Sequence, residues 1–320
     1  MSITGYIRSV ISKAIWLVLG SLVIGILFPE ASLAYLLPLI PLFLAGMMGS
    51  AGLMITMREL FRSGVKPSKI SIMLSSQFVL STSIGFVLAL LFFNIMADLP
   101  DLALGQVLHG AMPSEQTTPV WIKLAGGNTA LGIATLMLST ITSPFVSPVM
   151  VLIFAGRWIE LDYVLMFESL LLTVMLPVVV GSLIRSARPQ AIARYDAVFS
   201  AISLLSALPT VAIVGALAAS FLSIQPLHVL LLALVASMAH FGATLIAGYA
   251  IPRILRWDAS DAPVSIYNLS MKEFTVTLGV IATTGLSQEV GVPAALYGIM
   301  HMAAAPIIAR WLSGRRHEPC

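Results

Sequence analysis

Pro113-Ser114-Glu115-Gln116-Thr117-Thr118-Pro119 interrupts an apolar interval of this 320-residue chain, and how it is read decides the fold. Two prolines six residues apart cannot both sit in an unbroken helix, because each removes a backbone donor and clashes with the preceding turn. Only polar side chains lie between them. Residues 102–112 alone are too few to cross a bilayer, which takes about 20 apolar residues as helix. The stretch therefore reads as a broken span rather than a loop between two spans. Backbone freed at that depth survives only where it lines a cavity or packs on protein. The bland alternative is a proline kink with incidental polar neighbours.

About 155 residues later, close to half the chain, a second polar interruption reads Tyr267-Asn268-Leu269-Ser270-Met271-Lys272-Glu273-Phe274-Thr275. A charge at mid-span costs at least about 2.5–3.5 kcal/mol on insertion scales, so Lys272 and Glu273 need partners or a place at the interface. In a helix they would point about 100° apart and need not pair with each other. Glu115, on the other break, is the expected partner of Lys272. If the boundary lies elsewhere, both charges snorkel to the interface instead.

The composition requires lipid as solvent. Hydrophobic residues make up 58% of the chain and charged residues 10%, with a mean hydropathy of +0.99; soluble domains carry about 25% charged residues. The apolar runs are continuous rather than alternating, which selects helices over barrel strands. The expected fold is an all-α polytopic membrane protein of about ten transmembrane helices. The spans fall near 14–29, 33–55, 70–95, 102–125, 129–154, 163–184, 196–221, 226–250, 262–287 and 291–312. The N-terminal charges Arg8 and Lys13, followed by an apolar run from Ala14, look like a signal peptide. Without a small-residue cleavage site they read as a retained first span.

Charge placement supports the count. With ten spans and both termini cytoplasmic, one side holds Arg8, Lys13, Arg58, Arg62, Lys66, Lys69, Lys123, Arg185, Arg188, Arg194, Arg253, Arg256, Arg310, Arg315 and Arg316. The other side holds only Arg157, beside Glu160 and Asp162, and Lys272 falls inside span nine. This is the positive-inside pattern. The pI near 9.1 is thus a topology signal, with a lipid bilayer rather than nucleic acid as partner. The expected location is the cell inner (plasma) membrane, multi-pass. Five spans per half make residues 161–320 an inverted repeat of residues 1–160, in one integral membrane unit. Paired broken helices in such a repeat point to a transporter site.

Other polar residues are less specific. Asn128 follows Gly126-Gly127 and suits a helix cap. Gln77 is a lone polar residue in span three, suited to interhelical hydrogen bonding or to ligand contact. His109, His240 and His301 are scattered and read as packing or hydrogen-bonding residues. Gly46, Gly49 and Gly52 read as close helix packing, and Glu168 as interfacial. Cys320 is the one cysteine, so no internal disulfide and no cysteine metal cluster is expected.

Gly127-Asn128-Thr129-Ala130-Leu131, running on through Ser139-Thr140-Ile141-Thr142-Ser143-Pro144 to Pro148, resembles the bile acid:sodium symporter family. Weaker matches are Gly52-Leu53 with Glu59-Leu60, and Gln77. The resemblance covers essentially the whole chain. It implies a panel of spans one, two, six and seven, and a core of the others in which spans four and nine break and cross. It also implies substrates that are mostly organic anions, such as bile acids, steroid sulfates, pantothenate and keto acids, carried with sodium. The sodium ligands depart from the family pattern. Where the family's first break ends in Ser-Asn, this chain has Thr118-Pro119; a serine and a threonine on the next helix become Gly132 and Leu136. On span nine a glutamate and a glutamine become Asn268 and Lys272, and only Gln77 is kept. The first sodium site looks dismantled, and the Lys272 ammonium would stand near the second.

The expected function is secondary active transport of a small organic solute, organic anions foremost, by alternating access. The expected substrate- and ion-binding residues are Ser114, Glu115, Gln116, Thr117, Thr118, Asn268, Ser270, Lys272, Glu273 and Gln77, with Pro113 and Pro119 breaking the helix. The broken-helix N-termini would offer positive dipole ends to an anionic group. Coupling to protons, or none, is expected in place of two sodium ions; a sodium-coupled symporter with a remodelled ion site is the alternative. No metal site and no cofactor is expected. Outside transport, a non-transporting membrane sensor or scaffold is the competing reading; no acid/base or metal constellation suggests an enzyme.

Overall fold

Helix is the only regular secondary structure among the described residues, apart from one isolated antiparallel bridge. The computed structural model describes residues 14–56, 66–156, 158 and 161–314. Arg8, Lys13, Arg58, Glu59, Leu60, Arg62, Arg157, Glu160, Arg315, Arg316 and Cys320 lie outside these residues.

The helices are α1 Ala14–Leu27, α2 Pro29–Gly52, α3 Pro67–Ile95, α4 Pro100–Gly110, α5 Thr118–Leu124, α6 Thr129–Ala155, α7 Tyr163–Ala187, α8 Asp196–Ile224, α9 Leu227–Ile254, α10 Ala262–Ser270, α11 Phe274–Thr284 and α12 Val292–Gly314. Seven helices among the described residues are long and apolar enough to cross a membrane. They correspond to the predicted spans two, three, five, six, seven, eight and ten. The chain is an all-α polytopic membrane protein. Spans four and nine are each two short helices, α4 with α5 and α10 with α11. The first gap, residues 111–117, starts and ends two residues before the expected 113–119, because Pro119 takes the first turn of α5. The second is only Met271-Lys272-Glu273, because Tyr267 to Ser270 stay helical.

Local chemistry sets the ends. Prolines occupy the first turns of α3, α4, α5 and α10, where the missing N–H has no intrahelical partner to lose. Asn128 caps α6 by accepting from the Leu131 N–H at 3.1 Å, as predicted, and Asp162 caps α7 through the Leu165 N–H at 2.9 Å. The solvent inversion is plain in the burial pattern. Leu42, Ile95, Ile153 and Ile246 point outward, while Gln77, Gln106, His109, Ser114 and Lys272 are buried.

α1, α2, α7 and α8 pack on one another, the grouping the resemblance implies for a panel. Glycine makes this possible. A Cβ at Gly52 would overlap the Val178 carbonyl, and one at Gly181 would meet the Gly49 carbonyl and the Leu53 N–H. The α2 and α7 backbones thus touch without side chains between them, as small-residue membrane interfaces allow.

Gly181→Leu is therefore expected to lower stability by about 1–3 kcal/mol, the usual cost of overpacking. Gly242, which has nothing within 4 Å of an added Cβ, should accept alanine with no loss and a small helix-propensity gain. Thermal unfolding of the two variants in the same detergent separates these outcomes.

Candidate functional site

The two breaks meet. Ser114 and Lys272 form the antiparallel bridge. The Glu115 N–H donates to the Met271 carbonyl and the Glu273 N–H donates to the Pro113 carbonyl, both at 2.9 Å. Each unwound segment thereby satisfies the other's main chain, which lipid cannot do.

Around this bridge the structure gathers most of the predicted residues. Ser114 Oγ lies 2.7 Å from Asn268 Oδ1, 3.0 Å from the Asn268 carbonyl and 2.9 Å from Gln77 Oε1. One hydroxyl hydrogen cannot serve three acceptors. Gln77 Nε2 has no partner as placed, so turning this amide over lets Nε2 donate to Ser114 Oγ while Oγ donates to Asn268 Oδ1. Asn268 Nδ2 donates to the Met73 carbonyl at 3.3 Å. Gln77, Ser114 and Asn268 thus tie α3 to both breaks.

Lys272 is fully buried. Its Nζ donates to the carbonyls of Gln77 at 2.6 Å and Met112 at 3.0 Å. The first belongs to a π-helical turn, Ser76–Leu80, whose widened ladder presents its carbonyls differently from an α-helix. The second lies just past the C-terminal end of α4, where a helix dipole favours a cation. The expected Lys272–Glu115 pair is therefore not formed. An unwound segment offers free carbonyls, and the ammonium takes those within its reach.

Glu115 turns instead to α12, where His301 Nε2 lies 3.0 Å from its Oε2. The approach lacks hydrogen-bond alignment, and His301 Nδ1 has no hydrogen-bond partner among the described residues. Glu273, at the N-cap position of α11, accepts from Thr275 Oγ1 at 2.5 Å and from the Gln116 N–H at 3.2 Å. The N-terminal approach to α5 thus already meets a carboxylate of the protein, rather than standing open to an anion as expected. Gln116 Nε2 contacts Met48 Sδ on α2.

Three predicted residues do other work. Thr118 Oγ1 donates back to the Glu115 carbonyl and Ser270 Oγ to the Ile266 carbonyl, local bonds within their own turns. Thr117 is exposed and accepts from Trp121 Nε1. Pro119 sits in the first turn of α5 and Pro113 supplies a bridge carbonyl. Sequence reasoning took His301 for a packing or hydrogen-bonding residue without placing it at the site, and passed over Tyr297, whose hydroxyl donates to the Ser270 carbonyl at 2.8 Å. The available signal was a histidine in an apolar span, which needs a partner. His240 Nε2 donates to the Ser81 carbonyl at 3.1 Å, which leaves Nδ1 to accept from Gln106 Nε2 at 3.1 Å, and His109 Nδ1 lies 3.3 Å from Thr277 Oγ1.

An apolar cavity of about 360 Å³ lies between α1, α8 and α12. Val18, Val214 and Met302 line it, and Phe274, which follows Glu273, connects it to the second break.

The profile of the Sodium Bile acid symporter family matches residues 41–225, more than half of the chain. The chain belongs to this family. Its members are transporters rather than enzymes. It is 26% identical over 300 residues to the uncharacterized sodium-dependent transporter YocS of Bacillus subtilis (strain 168), covering 93% of this chain and 90% of that one. It is 27% identical over 169 residues to the probable sodium/metabolite cotransporter BASS2, chloroplastic, of Oryza sativa subsp. japonica, covering 53% of this chain and 39% of that one. The family match includes the first break, Gln77 and the α6 motif but stops before Asn268, Lys272 and Glu273.

Ser114→Ala removes the group that joins Gln77 to Asn268. The expected cost is about 1–3 kcal/mol, the penalty of leaving buried polar groups unpaired. Thr117→Ala, at an exposed position, should change stability by less than about 0.5 kcal/mol. Thermal unfolding in detergent measures both.

Proposed function

We propose that this symporter-family chain is a secondary active transporter of a small organic solute, organic anions foremost, working by alternating access. One observation carries the reading: two broken helices from opposite halves close on each other through the Ser114–Lys272 bridge. Irregular backbone at membrane depth is a feature of transporter binding sites. The α1, α2, α7, α8 group serves as panel and the remaining helices as core, with residues 1–160 and 161–320 as the inverted repeats. The solute's apolar body fits the cavity between α1, α8 and α12, which adjoins the core break at Phe274. The chain lies in the inner (plasma) membrane with both termini in the cytoplasm, on the side of the basic loops.

Coupling is proton-linked or absent in this reading. The Lys272 ammonium holds two main-chain carbonyls that a monovalent cation would otherwise use, and like charges repel strongly at low dielectric. Pro119, Gly132 and Leu136 offer no side-chain oxygen where the family resemblance puts sodium ligands, and the Thr118 hydroxyl is bonded to the Glu115 carbonyl. Glu115 with His301 supplies the carboxylate–imidazole contact between the first break and α12. Sodium coupling through a remodelled ion site is the second reading, favoured by the names of both relatives.

Thermal unfolding of the purified chain in sodium against potassium, across a pH series, tests the coupling. A ligand at about 100 times its Kd adds about 2.7 kcal/mol of apparent stability. The expected result is no sodium-specific shift, with a pH-dependent change that His301→Gln removes. A rise in stability specific to sodium would establish the second reading. Solute uptake into proteoliposomes driven by a pH gradient tests transport itself; no flux of any organic anion under either gradient would sink it.

A further inference from the structure

α9, α10 and α12 leave a groove of about 510 Å³ lined almost wholly by apolar side chains, among them Ile246, Tyr249, Ile266, Ile307 and Trp311. Ile246 and Ile307 are each 69% exposed, so the groove opens outward. At its end, past Tyr249, lies a second, more polar pocket of about 430 Å³ lined by Arg253, Arg256, Trp257 and Asp258. Tyr249 belongs to both. Its ring lies 5.9 Å from that of Trp311, and the Arg253 guanidinium sits over the same ring, 3.2 Å from its centroid.

The charge of the upper pocket is basic. Among the described residues, the ion pairs leave Arg253 and Arg256 without a carboxylate. The one acid in the lining, Asp258, is bonded to Lys69 at 3.0 Å. That contact holds its carboxyl below the usual carboxylate range, so it stays ionised and committed to Lys69. Arg253 also donates to the Tyr249 carbonyl at 2.8 Å, which fixes its stem. Arg256 closes the helix end with φ of 52°, a left-handed conformation that a side chain other than glycine adopts at a cost.

We propose that this paired groove and pocket is a binding site for an anionic phospholipid, with the acyl chains along α9 and α12 and the phosphate between Arg253 and Arg256. The two halves match the two halves of such a molecule in polarity and order. The apolar half lies at the depth of the spans and the basic half at the end that carries Lys66, Lys69 and Lys123. Tryptophan and tyrosine at the junction suit the headgroup level. Basic pockets between transmembrane helices are a recognised form of lipid headgroup site. Free phosphate would need only the upper pocket and would leave the groove without a role. The proposal stands apart from the transport reading, since it involves none of the bridge residues.

The test is a calorimetric titration of the delipidated full chain in detergent with short-chain phosphatidylglycerol, with phosphatidylcholine of the same chain length and with inorganic phosphate. Saturable binding of phosphatidylglycerol alone is expected. Arg253→Gln/Arg256→Gln should weaken it about 30-fold, at roughly fivefold for each lost charge, while Arg253→Lys/Arg256→Lys keeps most of it and so separates charge from misfolding. Ile246→Ala/Ile307→Ala should weaken it without touching the charges. Equal binding of the two lipids, phosphatidylglycerol binding unchanged in the Gln pair, or inorganic phosphate binding as tightly as the lipid would each overturn the proposal.

Discussion

Two main-chain hydrogen bonds, from Glu115 to Met271 and from Glu273 to Pro113, are the constraint on which the centre of this protein depends. In hydrocarbon an unsatisfied N–H or C=O costs several kcal/mol, so a helix cannot stop at mid-depth unless something else takes its exposed groups. Here each broken helix takes those of the other. The choice explains why both interruptions exist: either alone would be a defect, and together they close. It also fixes what can stand nearby. Carbonyls left over at the edges of the bridge need donors, and Lys272 provides them to Gln77 and Met112.

Much of this arrangement is legible in the chain. The paired prolines mark the first break, the charges mark the second, and the glycines of α2 announce a backbone contact that α7 then makes through Gly181. Asn128 caps the helix that its position after two glycines suggests. These are local or periodic signals, and local physics decides them. The partners of charges are different. Lys272 to Gln77 spans 195 positions and has many alternatives within a side chain's reach. Opposite charge favoured Glu115, but a sequence shows side chains and hides free carbonyls, so the winning acceptors were invisible. The same blindness put the second break too wide, by four residues at its start and two at its end, because Asn268 and Ser270 are polar yet helical.

His301 shows the converse case. Its environment of Phe274, Tyr297 and apolar neighbours on α12 makes it look like packing, and in part it is. What sets it apart is the carboxylate from the first break at 3.0 Å. A neutral histidine accepts at one ring nitrogen and donates at the other. With Nδ1 unbonded among the described residues, its contact with Glu115 ties α12 to the first break, as Tyr297 ties it to the second through the Ser270 carbonyl. A change of charge on either member alters how firmly α12 is held to the break.

The position of Lys272 also bears on how the crossing is held together. The Lys272 amine does structural work at the crossing: it gathers a π-turn carbonyl from α3 and a carbonyl just past the end of α4, and so joins three segments. A bound ion does this only when present. Lys272 does it as part of the chain, and an ammonium there carries the cost of a buried charge that no carboxylate among the described residues bonds directly. That cost is tolerable because carbonyl dipoles and the α4 helix end supply the compensating negative potential. Glu115 and Glu273 stand on the rim of the crossing, on either side of the same two hydrogen bonds.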